Sequence, residues 1–121
     1  MERVVGIGGV FFKCKHPAAL REWYETHLGI PASDYGHMFE PTGHTIWGPF
    51  AADTTYFAPS TREFMINYRV SDLDAMLAQL RAAGVVVDEK VEDHEYGKFG
   101  WAMDPEGNRF ELWQPPAEGS A

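Results

Sequence analysis

The chain has almost no cysteine. Cys14 stands alone among 121 residues, so neither an intrachain disulfide nor a four-thiol metal site can form. Basic residues are scarce as well: ten Lys and Arg face 18 Asp and Glu, for a formal net charge of -8. No basic run is present. That argues against nucleic acid as a partner, because phosphate binding needs a positive footprint. No apolar run approaches the length of a membrane span. The N-terminus shows no basic stretch followed by an apolar core, so no signal peptide is expected. These absences predict a soluble, cytoplasmic protein with neither nucleic acid nor membrane as partner. The final seven residues, PPAEGSA, are expected to fray.

What the chain does have is aromatic weight, with 14% Phe, Trp and Tyr. That supports one real core, and the length suits a single domain over 1–121. Residues 5–14 read as a strand through Val5, Ile7, Val10, Phe11 and Phe12. Pro17 suits the first turn of a helix, where its missing N–H does no harm. Leu20, Trp23, Tyr24, His27 and Leu28 share one helical face, and Gly29 is a natural stop. Short segments near 38–40, 45–50 and 54–57, broken by Gly and Pro, read as strands of a meander.

The second half repeats this order. Residues 63–70 alternate like a strand. Ser71 or Asp72 can cap a helix, with Asp74 near its positive end. Leu73, Met76, Leu77 and Leu80 form the apolar stripe, and Gly84 ends it. Strands are then expected at 85–87, 99–103 and 109–113. A strand, a helix and three strands thus occur twice, about 56 residues apart. Neither unit can make a full core alone. The expected fold is α+β: two βαβββ modules, 1–60 and 61–121, with curved mixed sheets around a shared concavity and the helices outside. A small ligand suits such a concavity.

The last strand carries the sharpest signal. Asp104-Pro105-Glu106-Gly107 suits a tight turn. Arg109, Glu111 and Trp113 then fall on one face, with Phe110 and Leu112 on the other. A carboxylate held mid-strand costs free energy unless it is paired or bound. A surface hairpin with a solvated Glu111 is the bland alternative. By the same alternation Gly9, Phe11 and Lys13 share a face of the first strand, and Met65, Asn67 and Arg69 share the matching face of the second half. Phe99, Trp101 and Met103 join them, with Trp47, Tyr56 and Phe57 available from the first half. In the stretch from Tyr96 to Trp101, Gly97 and Gly100 suit either a hairpin or a close backbone approach to a ligand.

Three stretches resemble the vicinal oxygen chelate superfamily, which includes glyoxalase I, bleomycin-resistance proteins and extradiol dioxygenases. They are PAALREWYETHLGIP at 17–31, YRVSDLD at 68–74 and DPEGNRFELW at 104–113. The resemblance spans nearly the whole chain. It implies the two-module fold and a homodimer, but not one reaction, since the fold hosts many. It also implies three positions for a divalent metal. The last matches Glu111, whereas the first falls on Gly9 and the second on Met65. One carboxylate does not hold a catalytic metal tightly. No cofactor is therefore expected, and a divalent metal is disfavoured. His37 and His44 are the histidines placed to lean into the concavity. His16, His27 and His94 fall on a helix or in charged, exposed stretches.

Two functions follow. One is a metal-free binder of a small organic molecule, with Phe11, Trp47, Tyr56, Asn67, Arg69, Trp101 and Arg109 lining an aromatic cavity. The other is a glyoxalase-type lyase or isomerase, or a dioxygenase-like enzyme, acting on a small oxygenated substrate with Glu111 as base or ligand. Arg69 or Arg109 can also simply neutralise Glu111 in a structural ion pair. The aromatics can equally be core or dimer interface.

Overall fold

The computed structural model describes residues 2–3, 10–34, 36–40 and 43–117. The first helix, α1, runs Pro17–Leu28. Pro17 opens it, and Gly29 closes it with φ 72°, the left-handed conformation that glycine adopts without penalty. His16 lends no side-chain cap. The cap comes from 90 residues away. The carboxylate of Glu106 accepts the backbone N–H groups of Lys15 at 2.7 Å and His16 at 2.8 Å. Those two amides hold the Glu106 carboxyl below its usual range.

The second half then builds one βαβββ unit. Strand β1 is Ile66–Arg69, helix α2 is Leu73–Ala82, and strands β2, β3 and β4 are Glu92–His94, Gly97–Met103 and Arg109–Gln114. Asp72 caps α2 by accepting from the Ala75 amide at 3.1 Å. The sheet order is β1-β4-β3-β2. β4 lies parallel to β1 and antiparallel to β3, and β2 pairs antiparallel with β3. The result is an α+β fold in which one face of a four-stranded mixed sheet carries both helices.

That helix-facing side is the core. Leu20 and Tyr24 of α1 and Leu73, Leu77 and Leu80 of α2 pack with Ala102, Phe110 and Leu112 of the sheet. These are the stripes that the helical and strand periods predict. Gly100 sits directly beneath α2. A Cβ there would stand 3.0 Å from both terminal carbons of Leu77, so the glycine serves helix–sheet contact and not a ligand. Gly97, at φ 127°, opens the exit of the β2–β3 hairpin.

The expected first-half strands are a different matter. Residues 4–9 of the first one lie outside the described residues, and residues 10–14 take no strand conformation. The segments at 38–40, 45–50 and 54–57 are turns and irregular backbone. Their large apolar side chains, among them Met38, Phe39, Ile46, Trp47 and Phe50, are exposed. A strand persists only with a ladder on its edge and a surface under its apolar face. Among the described residues those segments have no ladder partner, and the side chains named stay exposed. The strand expected at 85–87 is also shortened. Val87 makes a lone antiparallel bridge to Ala102. Pairing resumes only at Glu92, after a turn in which Asp88 accepts from the Lys90 amide at 2.9 Å.

Candidate functional site

The other face of the sheet carries Glu111. Strand register sets its neighbours. Asn67 of β1 is its partner on one side, and Trp101 of β3 is its partner on the other. Paired residues point the same way, so Asn67, Glu111 and Trp101 form a row across three strands. The row is bonded throughout. Asn67 Nδ2 donates to Glu111 Oε1 at 2.7 Å, and Trp101 Nε1 donates to Oε2 at 2.9 Å. Tyr56, from the irregular segment before β1, reaches over the row and donates its hydroxyl to Oε2 at 2.6 Å. Glu111 is only 9% exposed. A buried carboxylate is tolerable because each oxygen accepts a short bond.

Tyr56 is the one member of this group that sheet pairing does not fix. Its ring stacks on Phe50 at 5.5 Å and meets Trp101 edge-on at 6.1 Å. Burial, then the bond to Glu111, raises the Tyr56 hydroxyl above the ordinary tyrosine value, so it stays a neutral donor. The segment around it is held by local turns: Thr54 N–H to Ala51 O at 3.0 Å, and Ala58 N–H to Thr55 O at 3.1 Å.

The two arginines expected to neutralise Glu111 go elsewhere. Arg109 pairs with Asp88 at 3.2 Å and lies 5.3 Å over the Trp101 ring. Arg69 donates to the backbone oxygen of His44 at 2.5 Å. Alternation puts all three side chains on one face, but it does not say which loop supplies a closer partner. Phe11 and Trp47 are 95% and 77% exposed, and neither belongs to the bonded group. His37 packs edge-on against Phe39, and it and His44 are both exposed. Phe50 carries no signal of its own in the sequence. It sits in a segment with no alternation to mark its inward face.

The turn before β4 is built on a second buried carboxylate. Asp104, 5% exposed, accepts from the backbone amides of Glu106 and Asn108, both at 2.9 Å. It also accepts from Asn108 Nδ2 at 2.7 Å and from the Tyr24 hydroxyl at 2.9 Å. Tyr24 thereby ties α1 to the turn. Burial, followed by charge repulsion from Tyr68 and Asp104, raises the Tyr24 hydroxyl far above its ordinary value. Burial also pushes Tyr68 up to about 12. This cluster is structural. Its polar atoms satisfy one another beneath the helix.

The donor set at Glu111 does not fit a divalent cation. Trp101 Nε1, Asn67 Nδ2 and the Tyr56 hydroxyl all aim hydrogens at the carboxylate, whereas a metal needs lone pairs aimed at itself. Among the described residues, no three His, Cys, Asp or Glu side chains converge. Of the other two implied positions, Gly9 lies outside the described residues, and Met65 offers only a thioether. None of the described helices is long and apolar enough to cross a membrane.

A glyoxalase-like domain matches residues 9–113. An antibiotic binding protein from Streptomyces sp. CB03234, TnmS3, is 26% identical over 80% of this chain and 84% of its own, with a TM-score of 0.51. A protein of unknown function from Agrobacterium tumefaciens str. C58 is 18% identical over 96% of both chains, with a TM-score of 0.55. A member of the glyoxalase/bleomycin resistance protein/dioxygenase superfamily from Sphaerobacter thermophilus DSM 20745 is 28% identical, with a TM-score of 0.38. That match spans only 40% of either chain. No curated protein sequence matches the chain.

Proposed function

The chain belongs to the glyoxalase-like domain family, and from that premise we propose that it binds a small organic molecule on the Glu111 face of its sheet, without a metal. The observation that carries this reading is the bonded row itself. A carboxylate is held mid-sheet by Asn67 and Trp101 and covered by a tyrosine from outside the sheet. Rigid strands position the polar anchor, and aromatic side chains surround it, as ligand sites require. The likeness to an antibiotic binding protein at 26% identity supports binding over turnover. So does the state of Glu111. Its lone pairs already receive three donors, which leaves little room to take a proton from a substrate.

The working unit we propose is a cytoplasmic homodimer with the two-module architecture. The exposed apolar residues from Val10 to Phe12 and from Met38 to Phe50 then pack against the second copy, and their segments gain the sheet partner they lack here. Light scattering at micromolar concentration should report a dimer. A monomer at every concentration would contradict it.

The binding reading is tested by a small-molecule screen followed by nuclear magnetic resonance. Compounds that bind should shift the Trp101 indole and Asn67 side-chain amide signals in the native protein. The same compounds should leave Glu111→Leu, which has no acceptor at that position, unshifted. Binders that move only the signals of α1 and α2 would place the site on the opposite face.

A further inference from the structure

We infer that Tyr56 is a built-in stand-in for the ligand, and that the molecule bound at Glu111 is a neutral aromatic ring bearing a hydroxyl, a phenol, which displaces the Tyr56 side chain. This rests on the Glu111 face being the binding site. Of the three donors to Glu111, two are fixed. Asn67 and Trp101 stand on β1 and β3 as its register partners, so their backbones stay beside Glu111 whatever their side chains do, and Trp101 is packed in at 1% exposed. Tyr56 is in no strand, is 37% exposed, and hangs from a run of local turns. It is the replaceable member.

What Tyr56 occupies defines what can replace it. Its ring lies flat against Phe50, at 5.5 Å and 21°, and edge-on to Trp101, at 6.1 Å and 88°. Its hydroxyl ends 2.6 Å from Glu111 Oε2. The slot therefore takes a flat ring with one donor at its tip. Stacked and edge-to-face contacts of this kind recognise aromatic rings by geometry as well as by area. Charge narrows the class. Oε2 also receives the Trp101 indole N–H, which can only donate, so this oxygen acts as an acceptor. A phenol satisfies it. A phenolate or an aromatic carboxylate would set two anions together.

The test uses p-cresol, which is the tyrosine side chain itself, with toluene as the ring without its donor. In the native protein, p-cresol should shift the Trp101 indole signal and the Tyr56 ring signals together, as the side chain leaves its slot. Tyr56→Ala, in which nothing competes, should bind p-cresol at least tenfold more tightly than the native protein. Toluene should bind Tyr56→Ala at least tenfold more weakly than p-cresol does. Tyr56→Ser serves the same comparison should the alanine variant fold poorly. Three results would overturn the inference. One is native Tyr56 unmoved by p-cresol at its solubility limit, which makes the residue a fixed wall. Another is toluene binding as well as p-cresol. The third is a silent p-cresol while other compounds shift Trp101 and Asn67 in a Glu111-dependent way. In that last case the phenol class falls and the binding site stands. If no compound shifts those signals, both fall.

Discussion

Replacing Asp104 with alanine should lower stability by about 3 kcal/mol or more, because several buried donors lose their acceptor at once. Four groups converge on this carboxylate: the amides of Glu106 and Asn108, the Asn108 side chain and the Tyr24 hydroxyl. An amide at the turn can turn toward water. The Tyr24 hydroxyl cannot easily do so, since its ring is held among Trp23, Tyr68 and Phe110. Its loss should also loosen α1, which docks on the same turn through the Glu106 cap. Asp104→Asn keeps an acceptor for the two amides and should cost clearly less than the alanine change. Denaturant midpoints with an unchanged slope would measure both. An alanine variant within about 1 kcal/mol of the native protein would mean that the cluster does not hold the helix to the sheet.

Glu111→Leu should be the second most costly change, at about 2–4 kcal/mol, whereas Glu111→Gln should stay within about 1 kcal/mol. Leucine is near in volume but removes both acceptors. Tyr56 can then swing to solvent and Asn67 can find water, but the Trp101 indole N–H is left unpaired in a residue 1% exposed. Glutamine keeps one acceptor oxygen for Trp101 and Tyr56. Its amide can face Asn67 if the Asn67 side chain turns over to present its oxygen. The contrast separates acceptor geometry from charge. Equal destabilisation by both variants would show that the negative charge, and not the pattern of bonds, is what the sheet requires.

Much of this geometry was legible in the residues. Pro17, Gly29, Asp72 and the helical stripes set both helices because helix ends and apolar periods are local properties. Alternation put Glu111, Asn67 and Trp101 on one face, because a strand's period of two needs no knowledge of its partner. Partners were harder. Arg109 and Arg69 share that face, yet they bond Asp88 and the His44 backbone, which sit on loops whose path no alternation encodes. The β2 strand, Glu92–His94, leaves no strand signal in the sequence for a related reason. It is a charged edge strand, paired on one side only, and carries no apolar alternation. Asp104 was visible as a turn residue, but its bond to Tyr24 across 80 positions was not. In the first half, the β-prone residues at 10–14 and 45–50 have no strand partner among the described residues. Such residues describe a surface that fits a sheet, not the presence of one.

The account stands or falls on which face of the sheet is the binding face. A crystal structure of the protein with the tightest compound from the screen addresses this most directly. The account predicts density against Trp101 and Phe50, a polar group within hydrogen-bond distance of Glu111 Oε2, and the Tyr56 side chain turned out of its slot. Density seated instead against Phe12, Phe64 and Phe110, with Tyr56 still bonded to Glu111, would contradict it.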